Sequence, residues 1–339
     1  MSLEFWVGEG KKPIIHDHSK VLDTVINYLS SDNPKIPYNY EELFLDSGSF
    51  TLSRKNVEPD KERIKLIQEK IDPDKAVPVD YPFRPGQSLK LMSKLWEMTK
   101  ANILEWQETT RLREIVPVIH SWSYDSFKRG IKWIYKNIDS SYIALGVIVT
   151  PSYTSYTGYF GDRQPSLINI RLLSDAIKLI KTYTDFKVHL MGFGSSPLML
   201  HLAYYMGADS IDSTGHRRKA AYGKIVLPGT GERYVGRGDA KFGVTTLSLE
   251  DWNLLMECKC PICRVNRSLL WKDWKARAIH NKYVLEMEAL KAKQLLEEGR
   301  DVYEKYLDKI FSKSSKNFRA YWKFLKRTIK QTILDMFIN

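Results

Sequence analysis

The first 215 residues of the chain alternate short apolar runs with longer amphipathic ones. Strands that alternate with helices predict a parallel sheet joined by right-handed crossovers. The number and spacing of the units favour a (β/α)₈ TIM barrel, an α/β fold, over a six-stranded open sheet. The predicted strands are 43–46, 76–80, 116–120, 142–149, 187–192 and 209–212, and the predicted helices are roughly 58–71, 86–108, 123–137, 166–183 and 197–206.

Polar residues or glycines stand at or near the C-terminal tip of nearly every predicted strand. In a (β/α)₈ barrel these tips meet on one face, where active sites are built. A single aspartate or histidine there is often a turn or helix-cap residue, but three carboxylates at three tips indicate a site. The tip residues are Asp46, Asp80, His120, Gly146, Gly192 and Asp212.

The alternating pattern ends near residue 216. Residues 223–247 place Gly and Pro turns between β-prone runs, which predicts a small β insertion in the barrel. The chain then turns to helix-forming sequence. We therefore expect a catalytic barrel over 1–250, a zinc-binding subdomain over 251–295 and basic C-terminal helices over 296–339.

All three cysteines of the chain lie within six positions, as Cys258, Cys260 and Cys263. Three thiols cannot pair off, so a disulfide framework is not expected. A structural zinc ion needs four tetrahedral thiolate or imidazole ligands, and His280 is the nearest histidine downstream. The pattern predicts a structural Zn²⁺ with no open position for catalysis. Three unligated thiols are the alternative.

The composition of the chain also indicates a class of binding partner and a cellular compartment. The 339 residues have a net charge of +12, which makes a polyanion such as nucleic acid a plausible partner. No run of about 18 apolar residues exists, so no membrane span is expected. Free thiols and the lack of an apolar N-terminal export signal predict a cytoplasmic protein.

Several motifs together resemble the tRNA-guanine transglycosylases, barrel enzymes that exchange guanine for a 7-deazaguanine. The resemblance covers roughly residues 40 to 295, and each motif is weak alone but their order is specific. "CKCPIC" and the later "HN" match the family's zinc motif, which implies Cys258, Cys260, Cys263 and His280 as ligands. The other motifs are "FLDSGSF" (44–50), "VPVDYP" (77–82), "YIALGV" (142–147) and "VHLMGFGSSPLMLHLAYYMGADSIDS" (188–213), the last most like archaeal members.

The resemblance also implies roles for the residues at the strand tips. Asp212 matches the nucleophile, which attacks the anomeric carbon and holds the sugar covalently. Asp46 matches the general acid and base. Asp80 would accept hydrogen bonds from the guanine edge, while Phe50 would stack on the base. Ser47, Gly48, His120 and Gly146 complete the expected base-binding set.

Three of these positions leave alternatives open. Phe50 could pack in the core, Gly146 could only make a turn, and His120 could be a satisfied core histidine. The chain also departs from the family pattern. His120 stands where the family usually has a glutamine, and Ser49 and Val147 each replace a glycine.

The nucleic-acid partner is predicted to be DNA. The chain ends without the RNA-binding PUA extension of archaeal tRNA enzymes, so it looks more like the DNA-guanine transglycosylases, which insert 7-deazaguanines such as preQ0 into DNA. The alternatives are a tRNA-guanine transglycosylase and a non-catalytic nucleic-acid-binding subunit. Accessory modification proteins and a homodimer formed through the zinc region are further expectations from the resemblance.

Two basic segments are candidates for phosphate contacts. The run 216–219 contains Arg217, Arg218 and Lys219, and the tail 313–330 contains Lys323, Lys326 and Arg327. An ordinary solvated loop and a docked helix with a solvated basic face are the alternatives. Apolar residues recur in the tail at helical spacing, which predicts that one face packs against the body; these are Phe318, Trp322, Leu325 and Ile329.

Overall fold

A parallel eight-stranded sheet forms the centre of the protein. The computed structural model describes residues 3–10, 13–14, 19–84, 86–148, 167–236 and 245–338. The strands run in the order β4-β3-β2-β1-β8-β7-β6-β5, and every recorded pairing between them is parallel. They are β1 (Glu4–Gly8), β2 (Lys20–Thr24), β3 (Glu42–Asp46), β4 (Lys75–Ala76), β5 (Val118–Ser121), β6 (Tyr142–Ile148), β7 (Lys187–Leu190) and β8 (Ser210–Ser213).

The ring closes between β4 and the residues that lead into β5. The Ala76 N–H donates to the Glu114 carbonyl at 2.9 Å, and the Val116 N–H donates to the Ala76 carbonyl at 2.8 Å. A parallel bridge between Ala76 and Ile115 lies at the same place. The predicted (β/α)₈ barrel is therefore confirmed.

The first two strands are absent from the sequence-based prediction. The described connection between β1 and β2 contains no helix, and β2 is followed only by a short 3₁₀ helix (Val25–Asn27). The alternation of strand and helix therefore begins only at β3. Both early strands are only five residues long. They are recognised as strands by their pairing, β1 with β8 and β2 with β3.

Seven helices lie along the described part of the barrel chain. Side chains of Asp60, Ser88, Ser123 and Ser196 accept the backbone N–H of the third helical residue, which explains where four helices begin. The longer helices match the predicted ranges to within about three residues. They are α1 (Ser49–Arg54), α2 (Lys61–Ile71), α3 (Leu89–Thr109), α4 (Tyr124–Asn137), α5 (Leu167–Tyr183), α6 (Pro197–Met206) and α7 (Gly215–Ala221).

The two-residue repeat of the strands decides which side chains point into the barrel. Trp6, Leu22, Phe44, Val118 and Ala144 form one buried cluster that fills the interior. Successive inward positions of a strand are two residues apart. The next inward positions on β3, β5 and β6 are therefore Asp46, His120 and Gly146, at the C-terminal mouth.

The chain beyond the barrel forms a hairpin and a helical layer. The hairpin consists of β9 (Lys224–Val226) and β10 (Glu232–Tyr234), whereas residues 237–244 of the predicted β insertion lie outside the described residues. The domain boundaries stay a prediction. The helices are α8 (Leu249–Met256), α9 (Pro261–Asn266), α10 (Leu269–Lys272), α11 (Trp274–Glu298), α12 (Arg300–Ser312) and α13 (Lys316–Ile338).

Helix α13 packs one face against the body, as its pattern predicts. Trp322 and Leu325 are buried in the main core, and Phe318 packs against that core half-buried. The Ile329 side chain lies outside the described residues. Among the described helices, none combines the length and the apolar character needed to cross a bilayer.

Candidate active site and metal centre

A cavity of about 610 Å³ opens at the C-terminal mouth of the barrel. Its volume lies within the range of small-molecule sites. Five acidic side chains line the cavity, and three of them are the predicted strand-tip residues Asp46, Asp80 and Asp212. The other two are Glu9 and Asp23. Phe50, His120, Gly146 and Arg218 also line it.

Asp212 is held from one side only. Its Oδ1 atom accepts the Gly192 backbone N–H at 2.6 Å and lies 3.1 Å from Nε2 of His189. Both contacts fall on the same oxygen, and the side chain lines the cavity. Asp212 is therefore a fixed carboxylate in the cavity wall, and its described hydrogen bonds all fall on Oδ1.

Asp46 is a carboxyl group whose surroundings favour the protonated form. Burial, together with the nearby Asp80 and Asp212 carboxylates, raises its pKa to about 8. The Gly48 N–H, which donates to Asp46 Oδ2 at 2.9 Å, opposes this shift. At neutral pH the group can therefore donate a proton, which is the property that a general acid needs.

Gly48 shapes the turn that follows Asp46. Its φ is +80°, in the left-handed region, and an added Cβ would lie 2.2 Å from Cγ1 of Ile26. Any larger residue here would strain the backbone and displace the side chains of Ile26 and Thr24. The turn starts α1, and Phe50 in its first turn reaches the cavity wall. There Phe50 packs against the buried pair of Phe83 and Met92.

Asp80 lies in a network of buried polar groups. Ser47 donates from Oγ to Asp80 Oδ1 at 3.1 Å, and His120 Nε2 lies 2.6 Å from Asp80 Oδ2. Ser47 is fully buried and does not line the cavity, so it acts on Asp80. A carboxylate has about four lone-pair positions, so Asp80 can still accept donors from a ligand.

The two remaining base-binding candidates lie in contact with each other. An added Cβ on Gly146 would come within 2.5 Å of Cε1 of His120. The space that this glycine leaves is thus taken by the His120 ring. Both residues line the cavity.

The basic candidates divide into three groups. Arg218 lines both the catalytic cavity and a second cavity of about 780 Å³, which Lys219 also lines. Arg217 instead forms an ion pair with the buried Glu9. Lys323, Lys326 and Arg327 lie on α13 away from both cavities, and Lys326 pairs with Asp308 at 2.6 Å.

The three cysteines and His280 converge as predicted. Their ligand atoms all lie within 4.8 Å of one another, and the three Sγ atoms are 3.5 to 3.6 Å from Nδ1 of His280. Zn–S bonds near 2.3 Å and Zn–N bonds near 2.0 Å in a tetrahedron place sulfur and nitrogen about 3.5 Å apart. This Cys₃His group could therefore hold a metal ion.

The second nitrogen of the His280 ring is also used. Nε2 lies 2.9 Å from the Val226 carbonyl oxygen on β9, so it donates there and leaves Nδ1 for a metal. Cys260 and Cys263 are buried in a cluster with Ile225 and Leu270. The group thus joins the cysteine loop, α11 and the β9–β10 hairpin.

Sequence analysis missed residues from the early strands and from β7. Glu9 and Thr24 line the catalytic cavity, and His189 contacts Asp212. The only signal for His189 was a polar residue between the apolar residues Val188 and Leu190. Glu9 and Thr24 gave no signal, because β1 and β2 were not predicted.

The chain is similar to archaeal tRNA-guanine(15) transglycosylases. It is 28% identical over 265 residues to the enzyme of Methanosarcina mazei, 27% over 265 residues to that of Methanosarcina barkeri and 28% over 264 residues to that of Pyrococcus abyssi. These alignments cover 75–76% of this chain but only 48%, 48% and 40% of the respective relatives. The aligned part thus spans about half or less of the relatives' length. No protein-family model matches.

These similarities support a relationship with the tRNA-guanine transglycosylase superfamily. Together with the barrel and its C-terminal-face cavity, they agree with the family that the sequence motifs resemble. The names of the relatives contain tRNA and not DNA.

Proposed function

We propose that the protein is a guanine transglycosylase that exchanges a guanine base in a nucleic acid. The main support is the convergence of Asp46, Asp80 and Asp212 in one cavity at the barrel mouth. Base exchange needs a nucleophile, a proton donor and a group that selects guanine. One carboxyl group is available for each of these tasks.

The reaction takes two displacements at the same carbon. The electron pair of Asp212 Oδ2 forms a bond to C1′, the glycosidic bond breaks, and Asp46 gives its proton to the departing guanine. The incoming base then attacks C1′, its proton goes to Asp46, and the bond to Oδ2 breaks with its electrons returning to Asp212. Two displacements retain the configuration of the sugar, as in retaining glycosidases.

Selection of guanine falls to Asp80 and its neighbours. A carboxylate can accept hydrogen bonds from N1–H and the exocyclic amine of guanine, a donor pair that adenine lacks. Ser47 and His120 fix the Asp80 carboxylate in place. Phe50 on the cavity wall can stack on the base, which is worth roughly 1–3 kcal/mol.

The polymer substrate is proposed to be tRNA, and the alternative is DNA, which the sequence analysis predicted from the lack of a PUA extension. The relatives' names favour tRNA. A second cavity, adjoining the first at Arg218, provides room for nucleotides beside the target. Five basic and three acidic side chains line it, so phosphates are attracted on balance. A target inside a duplex would have to be flipped out.

The incoming base is proposed to be a 7-deazaguanine such as preQ0. It presents the same N1–H and amine edge as guanine, so Asp80 can accept it in the same way. The metal in the Cys₃His group is proposed to be zinc with a structural role. All four ligand positions come from the protein, which leaves none open for catalysis.

A labelling experiment tests the proposed function. Radiolabelled preQ0 and radiolabelled guanine are each incubated with tRNA or with guanine-containing DNA. We expect label in tRNA with the wild type, a loss of at least about 10³-fold with Asp212→Ala, and unchanged incorporation with Asp139→Ala, an exposed control.

The polymer that takes up label distinguishes the two substrates. Label in tRNA supports the proposal as stated, whereas label in DNA alone would replace tRNA by DNA. If the folded protein incorporates neither labelled preQ0 nor labelled guanine into either polymer, base exchange is contradicted.

A further inference from the structure

A fully buried histidine on β7 contacts the proposed nucleophile. His189 Nε2 lies 3.1 Å from Asp212 Oδ1, and its Nδ1 lies 2.8 Å from Oγ of Ser210. We propose that His189, oriented by Ser210, is a positioning residue that holds Asp212 through Oδ1 and leaves Oδ2 for attack on the sugar. This inference rests on the proposed function of Asp212.

The strand register explains why one ring reaches both partners. His189 is paired with Ser210 across the parallel β7–β8 ladder. Ser210 and Asp212 are two residues apart, so their side chains share the inward face of β8. A single inward side chain from β7 therefore bridges the two. The Phe44 ring packs edge-on against the imidazole at 5.0 Å between centroids and restricts its rotation.

The hydrogen-bond pattern selects one form of the imidazole. A carboxylate oxygen can only accept, so the bond to Asp212 requires a hydrogen on Nε2. When His189 is neutral, Nδ1 must then accept, and the Ser210 hydroxyl can donate to it. The Asp212 carboxylate thus selects the tautomer with the hydrogen on Nε2, and the Ser210 hydroxyl completes it by donating to Nδ1.

The position of the bond on Oδ1 matters for the covalent step. When Oδ2 bonds to C1′, Oδ1 becomes the carbonyl oxygen of the resulting ester, and it can keep both donors. When the incoming base displaces the ester, the electron pair returns to a carboxylate that the His189 and Gly192 N–H groups still hold. The carboxylate therefore does not need to be reoriented between the two halves of the reaction.

A purely packing role does not account for these contacts. The His189 side chain is completely buried and packs against the Phe44 ring, at a place where an aliphatic residue would avoid the cost of burying two polar atoms. Both ring nitrogens instead face side chains of one neighbouring strand, and one of those side chains is the proposed nucleophile.

The test compares His189→Phe with His189→Gln and Ser210→Ala in guanine exchange with labelled guanine. We expect His189→Phe to lower kcat about 10- to 100-fold with little change in KM, because the cavity wall itself is kept. The rate of covalent intermediate formation, measured by rapid denaturation of the enzyme–nucleic acid mixture, should fall by the same factor. His189→Gln should restore part of kcat, because its amide can donate to Asp212.

His201→Gln is the matched control. His201 is also fully buried, but it bonds to Glu288 and Tyr303 away from the cavity. We expect it to lower stability and to leave kcat per folded molecule unchanged. A wild-type kcat in His189→Phe, or equal losses of kcat per folded molecule in His189→Phe and His201→Gln, would overturn the inference.

A second measurement does not depend on activity. Nitrogen-15 NMR of the histidine side chains should show His189 with its hydrogen on Nε2, and Asp212→Ala should shift that N–H resonance. An unchanged resonance would overturn the inference even if the enzyme is active. If the wild type exchanges no base in either polymer, the proposed function fails, and this measurement still decides whether His189 holds Asp212.

Discussion

Asp46 is the residue whose chemistry depends most on its surroundings. An exposed aspartate is ionised at neutral pH, but burial and the neighbouring carboxylates of Asp80 and Asp212 raise the pKa of Asp46 to about 8. The same clustering of acids that forms the site thus supplies its proposed proton donor. Asp46 favours the protonated form, while Asp212, the proposed nucleophile, is held by two hydrogen-bond donors.

The raised pKa of Asp46 predicts a pH-dependent cost in stability. Because the pKa of Asp46 is higher in the folded than in the unfolded state, proton binding stabilises the folded protein. This stabilisation is fully present below about pH 4. It is lost as the pH rises to about 8. We therefore expect Asp46→Asn to become more stable relative to the wild type as the pH rises from 5 to 9, as measured by urea unfolding.

The same substitution should remove catalysis. An amide cannot supply the proton, so we expect exchange to fall by about 10²- to 10⁴-fold. Asp139→Asn, at an exposed position, should change neither property. A constant stability difference between Asp46→Asn and the wild type over this pH range would contradict the assigned pKa.

At the scale of elements, a buried polar network ties α6 to the C-terminal helices. His201 on α6 contacts Glu288 on α11 through Nε2 at 2.9 Å and Tyr303 on α12 through Nδ1 at 2.7 Å. Tyr306 donates to the same Glu288 carboxylate at 2.9 Å. The bonds with His201 and Tyr306 help to lower the pKa of Glu288 despite its burial. The helical layer is therefore attached to the barrel by hydrogen bonds as well as by apolar packing.

Tyr303→Phe should weaken this attachment. The change removes only the hydroxyl and leaves His201 Nδ1 buried without its side-chain partner. We expect a loss of about 1–3 kcal/mol in the free energy of unfolding, measured with urea. Tyr183→Phe, at a tyrosine that is 70% exposed, is the matched control and should cost less than about 0.5 kcal/mol. Equal effects of the two substitutions would contradict the role of the network.

At the scale of the whole molecule, the Cys₃His group joins parts of the chain that are distant in sequence. The group connects the cysteine loop to α11 and, through His280 and the Val226 carbonyl, to the β9–β10 hairpin. That hairpin and Arg218 belong to the wall of the second cavity. The Cys₃His group therefore stabilises one wall of the second cavity, which is proposed to hold nucleotides beside the target, although the group itself does not line that cavity.

Removal of the metal should destabilise this region. We expect about one zinc ion per chain by elemental analysis, and a lower thermal unfolding midpoint after treatment with a chelator or in Cys263→Ser. Lys259→Ala, between two ligands in sequence, should keep its metal and its midpoint. Metal-free protein with an unchanged midpoint would contradict a structural role for the group.

The local sequence determined much of this molecule. Periodicity located six of the eight barrel strands and the longer helices, because apolar spacing reflects which face of an element is buried. Polar residues at the C-terminal strand tips predicted which residues share the cavity, and the three clustered cysteines with His280 predicted the metal ligands.

Tertiary structure decided the interactions that depend on strand register and on distant neighbours. The β1 and β2 strands are recognisable only by their pairing, so the cavity residues Glu9 and Thr24 were missed. Arg217 and Arg218 are adjacent in sequence, yet one pairs with buried Glu9 and the other lines the cavity. His189 contacts Asp212 only because β7 and β8 align. Hydrophobic periodicity is a local property, whereas these contacts are set by closure of the ring.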